Sequence, residues 1–321
     1  MNAVVAGSPW HEGELEMQAR AGVLERMAVL GARVLSDRMS EQHRIFFAQL
    51  PFVVAGGLDA ARQPWASVLA GPPGSIRSPD EQHLRIDTRA SAGDPLAGAM
   101  RPGAPVALLG IEPHTRRRNR LNGVVTEFDA QGFAVEVQQS FGNCPKYIQA
   151  REPVFAPGVR AAPHVHLANG LDAAARRIVA SADTFFVATA HPAAGGALAS
   201  HGVDVSHRGG RPGFVRVTDG NQLTVPDFVG NGFFNTLGNI AVNPRAGLLF
   251  IDFATGDLLH VAVLAEVLWD GPELATFEGA QRLLRMEVVS ALRRPAALPL
   301  RWGPAQPSPY LGATGVWPQS A

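Results

Sequence analysis

The residues of this chain best suited to bind or transform a ligand concentrate between Val203 and Asp252. A β-type stretch, Val203–Val205, runs into the polar, glycine-rich loop Ser206-His207-Arg208-Gly209-Gly210-Arg211-Pro212-Gly213. A guanidinium matches a phosphate with paired hydrogen bonds, and glycine lets backbone approach a ligand closely. A strand pair follows, Phe214–Val217 and Gln222–Val225, joined at Asp219-Gly220. Gly230-Asn231-Gly232 then opens a short helix that carries Asn235 and Thr236 early and ends at Asn243-Pro244-Arg245. The first N–H groups of a helix are unpaired and its start is electropositive, so an anion is stable there. This spacing predicts a site for the phosphate of a nucleotide-like cofactor. Its expected residues are His207, Arg208, Gly209, Arg211, Asn231, Asn235 and Thr236. Taken singly, the amides and the hydroxyl could equally cap the helix, and the arginines could be solvated.

Three stretches carry a resemblance. They are Phe185-Phe186-Val187-Ala188-Thr189-Ala190, then Val203-Asp204-Val205-Ser206-His207-Arg208, and the run from Phe234 to Phe253. Together they resemble the pyridoxamine 5′-phosphate oxidase-like family of FMN-binding split β-barrels. The Asn243-Pro244-Arg245 turn before an apolar strand is the most recognisable part. The resemblance implies that Arg208, at the end of the second strand, holds the FMN phosphate. The family commonly places an Arg-Lys pair at the helix start for the same phosphate. Asn235 and Thr236 stand there instead, and both can still hydrogen-bond a phosphate oxygen. A segment similar to Asn143-Cys144-Pro145-Lys146-Tyr147-Ile148 lies close to the flavin in relatives. This implies that Asn143, Lys146 and Tyr147 reach the site. A lysine there would stabilise negative charge on the reduced ring. Cys144 is read as an inert thiol, and no catalytic residue is assigned.

Other polar clusters carry less. In a strand, Arg116, Arg118 and Arg120 would share one face, with Arg117 and Asn119 on the other. The simpler reading is a solvated hairpin tip, and the alternative is an anion-binding face at a barrel interface. His164 and His166 have no neighbouring carboxylate or cysteine motif, so no metal site is assigned. No G-x-S-x-G elbow, Walker motif or strand-linked G-x-G-x-x-G is present, which disfavours triad hydrolases and P-loop or Rossmann nucleotide sites.

Composition narrows the setting. The chain has 321 residues and a formal net charge of zero, so it offers no basic field for nucleic acid. No apolar run approaches the roughly 20 residues that span a bilayer. The N-terminus lacks a basic, apolar leader, so a signal peptide is not expected. One cysteine cannot form an intrachain disulfide, which points to a reducing, cytoplasmic setting.

These residues must be positioned by the surrounding elements. Glu14 to Leu35 has helical periodicity, and Ser40 is placed to cap a second short helix. From residue 51 the chain changes to short β-type runs between Gly, Pro and Asp turns. Phe52-Val53-Val54-Ala55-Gly56-Gly57 opens one series. Phe186-Val187-Ala188-Thr189-Ala190 opens another about 134 positions later. Each series has a second strand, Pro64–Leu69 or Ala199–Val205. Each then has a short helix, Asp94–Met100 or Phe234–Val242, followed by an apolar strand and a long strand. The expected fold is mostly β with peripheral helices: two tandem split β-barrels forming an internal pseudo-dimer, which suits many short antiparallel strands. The expected segments are an N-terminal helical part (1–50), a first barrel (51–160), a second barrel with the phosphate cluster (161–294) and a proline-rich tail (295–321). Arg160–Pro163 reads as the linker and Leu171–Ser181 as a helix. Trp302, Tyr310 and Trp317 are expected to hold the tail against the body.

The reading that results is an FMN-dependent oxidoreductase acting on a small organic or nicotinamide substrate, NAD(P)H included. About one FMN per chain is expected, because Ala70-Gly71-Pro72-Pro73-Gly74 offers no charge where the second series has its arginines. A homodimer is compatible with this reading; nucleic-acid and membrane partners are not expected. The alternatives are a non-catalytic flavin- or haem-binding protein, with His191, His201 or His207 as haem ligand, and a scaffold without cofactor.

Overall fold

The structure is a computed structural model that describes residues 8–158, 162–168, 170–218 and 221–318. The Asp219-Gly220 turn, and Arg160 and Ala161 of the expected linker, lie outside the described residues.

The expected helix over Glu14–Leu35 is two helices, α1 (Glu12–Arg20) and α2 (Leu24–Val34). The chain turns between them at Gly22, whose φ of +68° is a left-handed conformation that a glycine adopts without a side-chain penalty. A third helix, α3 (Glu41–Ala48), begins as expected at Ser40, whose hydroxyl accepts the His43 N–H at 3.3 Å.

Seven antiparallel strands follow: β1 (Phe52–Leu58), β2 (Pro64–Ala70), β3 (Ile76–Arg77), β4 (His83–Ile86), β5 (Pro105–Glu112), β6 (Arg117–Phe128) and β7 (Phe133–Gly142). They form one sheet in the order β2-β1-β5-β6-β7-β4-β3. After β8 (Pro153–Phe155), β9 (Val165–Leu167) and α4 (Ala173–Ser181), a second set begins. It comprises β10 (Thr184–Ala190), β11 (Val203–Gly209), β12 (Arg216–Val217), β13 (Gln222–Asp227), α5 (Asn235–Val242), β14 (Arg245–Asp252), β15 (Asp257–Leu268), α6 (Pro272–Ala275) and β16 (Arg282–Arg294). These strands form a second sheet in the order β11-β10-β14-β15-β16-β13-β12, with β9 added beside β16. The molecule is therefore mostly β with a few helices, and the two sheets share one strand order. Among the described residues, no helix is long and apolar enough to cross a membrane.

The helix expected at Asp94–Met100 is a run of turns, with Ala97 N–H bonded to Asp94 O and Ala99 N–H to Leu96 O. Gly98 and the short length leave too few hydrogen bonds to offset helix nucleation.

Alternation on the strands builds three apolar layers. Val53 and Ala55 of β1 face a core belonging to the first sheet, and Phe185 and Val187 of β10 face one belonging to the second. Between the sheets lies a third layer, in which Phe52, Val54 and Leu109 meet Phe186, Val205 and Leu249. Full burial of each such side chain is worth roughly 1.5–3 kcal/mol, so this shared layer fixes how the sheets sit on each other.

The first and last described segments are pinned across the body. Trp10 and Met27 pack with Phe141 and Phe233, and the Gln18 amide donates to Phe233 O at 3.2 Å. In the tail, β17 (Leu300–Trp302) pairs with β8. Trp317 donates its indole N–H to Phe214 O at 2.8 Å, and Trp302 meets Phe52 edge-on.

Candidate anion-binding cleft

Pairing of β10 with β11 continues to Thr184–Gly209. The strand therefore runs through Ser206, His207 and Arg208, which the glycine and proline pattern placed in a loop and the resemblance placed at the end of the second strand. That sets their phase. Asp204, Ser206 and Arg208 face one side, while Val203, Val205 and His207 face the layer between the sheets. The His207 ring is buried edge-on against Phe186, at 5.7 Å between centroids. Burial, reinforced by Arg118 and Arg208, holds its pKa well below the ordinary value. His207 lends the site only its backbone carbonyl, which accepts from Arg118 at 3.4 Å.

The opposite face of β11 opens on a cleft of about 260 Å³ between the two sheets. Arg208, Gly209, Asn231, Asn235 and Thr236 line it from the second sheet, and Asn143, Lys146 and Tyr147 line it from the first. A Cβ on Gly209 would lie 2.0 Å from Tyr147 O, so only glycine lets the 143–147 segment close against the strand. Arg211 is not brought to the cleft. It donates to Leu311 O at 2.8 Å and ties down the tail.

The polar side chains near the helix start are largely engaged. Asn231 accepts the Phe233 N–H at 3.1 Å, a local turn. The Thr236 hydroxyl lies 3.0 Å from the Asp204 carboxylate and 2.8 Å from the Ser206 hydroxyl. Asn235 accepts from Arg120 at 3.0 Å and donates to Glu14. The residue before the helix, Phe234, is in a left-handed conformation and gives the first N–H groups of α5 no side-chain cap.

The cations absent from the helix start come from the first sheet. Arg120 on β6 pairs with Asp204 and donates to Ser206 Oγ at 2.6 Å. Arg118 donates to Cys144 O at 2.6 Å. The hairpin-tip reading of these arginines is thus overturned: β6 begins at Arg117, and its inward face carries Arg118 and Arg120 into the cleft. Their spacing in sequence was the available signal. Arg116 leaves the series through a φ of +57° and binds the carbonyls of Ile148, Gln306 and Pro307. Arg117 lies exposed over Phe46. A further arginine missed from sequence, Arg282, is buried against Phe234 and Trp269 and shares Asp227 with Arg208.

The cleft is electropositive and incompletely paired. Arg26, Arg118, Arg120, Lys146, Arg208 and Arg282 line it, with Asp227 as the acidic residue among the described lining residues. Burial pulls the Arg118 guanidinium down to about 9 and lowers Arg120 as well. A guanidinium remains charged at neutral pH, so these shifts register the cost of burying its charge. The Nε groups of Arg120 and Arg208, Nη1 of Arg282 and Nδ2 of Asn143 are buried without an acceptor. Each such group costs about 1–3 kcal/mol unless a ligand satisfies it. Beneath the cleft, burial raises the Glu14 carboxyl to about 8, so it is protonated at neutral pH and leaves the cationic excess intact. Tyr147, Phe214, Phe228 and Phe234 supply an aromatic lining.

A second polar cluster lies outside this cleft. Glu12 bonds His191 Nε2 at 3.0 Å and lies 3.8 Å from His201, whose ring stacks on His191. His11 completes a group with metal-like spacing. Yet Nδ1 of His11 and of His191 each accept a backbone N–H, from Gly13 and Ala193. The neutral rings must then carry their hydrogens on Nε2, where a metal would need a lone pair. The geometry is that of a hydrogen-bonded cluster.

No family model and no curated protein matches this chain. Among solved structures, HupZ of Group A Streptococcus is similar at 12% identity and a TM-score of 0.30, over 38% of this chain and 91% of its own. A candidate pyridoxamine 5′-phosphate oxidase of Lactobacillus delbrueckii is similar at 18% identity and a TM-score of 0.26, over 33% of this chain and 95% of its own.

Proposed function

We propose that the cleft binds FMN between two tandem split barrels, residues 51–160 and 161–294, and that the chain is an FMN-dependent oxidoreductase. The observation that carries this is the convergence of buried, incompletely paired arginines from both sheets on an uncapped helix start. A phosphomonoester brings about two negative charges and several acceptor oxygens, which is what those groups lack. Arg208, Arg118, Arg120 and the first N–H groups of α5 would hold the phosphate. Asn143, Lys146 and Tyr147 would approach from the first sheet. When bound, FMN supplies hydride or electron transfer with a small organic or nicotinamide substrate. The chain's own residues orient it, exclude water and place Lys146 where negative charge develops. The common strand order of the two sheets supports the tandem arrangement, and the single cysteine suits a cytoplasmic setting.

Haem is the weaker reading. His207 lines the cleft only through its backbone, and His191 and His201 belong to the separate Glu12 cluster. The deciding experiment is absorbance and mass spectrometry of the cofactor released from purified protein. FMN is expected. FAD, haem or an empty, well-folded protein would overturn the proposal.

A further inference from the structure

The pairing registers of the two sheets can be superposed residue by residue. In the first, Ser67, Ala55, Leu108, Leu121 and Ser140 lie side by side across β2, β1, β5, β6 and β7. In the second, Ser206, Val187, Leu248, Val261 and Ala291 do the same across β11, β10, β14, β15 and β16. The register breaks at corresponding points, between Asn122 and Gly123 and between Ala262 and Val263.

Counting from these rows gives the cleft residues of the paired strands counterparts. Ser206 corresponds to Ser67, Arg208 to Leu69, Arg118 to Leu258, Arg120 to His260 and Asn143 to Arg294. Asn235, two residues before the buried Leu237, corresponds to Asp94, two before the buried Leu96. The counterparts also converge, Arg294 and His260 of the second sheet reaching groups of the first, though through different pairs. Ser67 donates to the Asp94 carboxylate, and Arg294 donates to it at 2.7 Å and also to Ser91. His260 bonds Ala66 O at 3.0 Å, and its Nε2 is buried without a partner.

The chemistry of the two places differs at the charges. Leu69 and Leu258 are buried where the first place has Arg208 and Arg118. The remaining cation, Arg294, has a side chain only 4% exposed and is paired with Asp94, which is 2% exposed. Asp94 thus delivers, from the position of Asn235, the negative charge that the first cleft lacks.

We propose that the Asp94–Arg294 pair is a closed second anion site, in which the Asp94 carboxylate stands in for a ligand oxyanion. This rests on reading the first cleft as an anion site. Its test is the count of inorganic phosphate sites by isothermal titration on the full chain. Asp94→Gly removes the carboxylate, leaving Arg294 without its partner and vacating the space an oxyanion would take, and is expected to add one phosphate site relative to the unmodified chain. Asp94→Gly combined with Arg294→Met is expected to lose the added site. The increment is read independently of the first cleft: going from one site to two supports both readings, and going from zero to one supports this inference while overturning the first. Should Asp94→Gly fold poorly in chloride, phosphate is expected to restore the folded state of Asp94→Gly but not that of Asp94→Gly combined with Arg294→Met, which separates a bound anion from the general stabilising effect of phosphate. No increment in a folded variant, or no recovery in phosphate, overturns the inference.

Discussion

At the residue scale, the arginines of the cleft divide by what they can still bind. Arg208 spends one nitrogen on Asp227 and keeps a buried Nε unpaired. Arg117, nearby in sequence to the cleft arginines of β6, lies exposed over Phe46. Replacing Arg208 by alanine should therefore weaken FMN binding by about 1.5–3 kcal/mol, roughly ten- to a hundred-fold. Arg120→Ala should weaken it comparably, and Arg117→Ala hardly at all. Equilibrium titration of each variant checks the order, and an Arg117 effect as large as that of Arg208 would mean the phosphate is elsewhere. Glu14 gives a pH prediction. Its folded pKa, raised to about 8 by burial, exceeds the unfolded value near 4.5. Between those values the folded state holds the extra proton, so Glu14 makes stability fall as pH rises from about 4.5 to 8. The Glu14→Gln variant cannot ionise, and its stability relative to the unmodified chain should rise across that window by on the order of a few kcal/mol. Denaturant melts at several pH values check this; parallel curves for the two proteins would show that Glu14 is ionised throughout.

At the scale of elements, the phase of a strand decides which residues form the site. The sequence pattern around residues 203–213 indicates a strand, a glycine-rich stretch and arginines, but glycine and proline made a loop the natural reading. Only pairing with β10 shows that β11 continues to Gly209 and turns the His207 ring away. The same holds for β6, where one reversed turn at Arg116 decides whether Arg118 and Arg120 meet solvent or the cleft. Apolar alternation and the cap at Ser40 were legible because they depend on neighbours in sequence. The cross-sheet partners were not, because they depend on how two sheets stack. Gly209 exposes this dependence to test. Alanine there must displace the Tyr147 backbone, so Gly209→Ala should lower both thermal stability and ligand affinity, at a cost of about 1–3 kcal/mol. Gly98, with open space around its Cβ position, should tolerate alanine with little change. Equal melting temperatures for the two variants would contradict the close approach.

At the scale of the molecule, the cleft is lined from both sheets. The second sheet offers Arg208, Arg282 and the start of α5, while the first offers Arg118, Arg120, Asn143 and Lys146. The N-terminal helices complete one wall through Ala21, Val23 and Arg26. A fragment covering only 161–294 should therefore fail to bind FMN with full affinity even if it folds. The most direct test of the account is titration of the cofactor-free chain with FMN, followed by flavin absorbance or fluorescence. The account predicts saturable binding at about one FMN per chain, weakened when either Arg120 or Arg208 is replaced. Absence of saturable binding, or affinity unchanged by loss of both arginines, would contradict it.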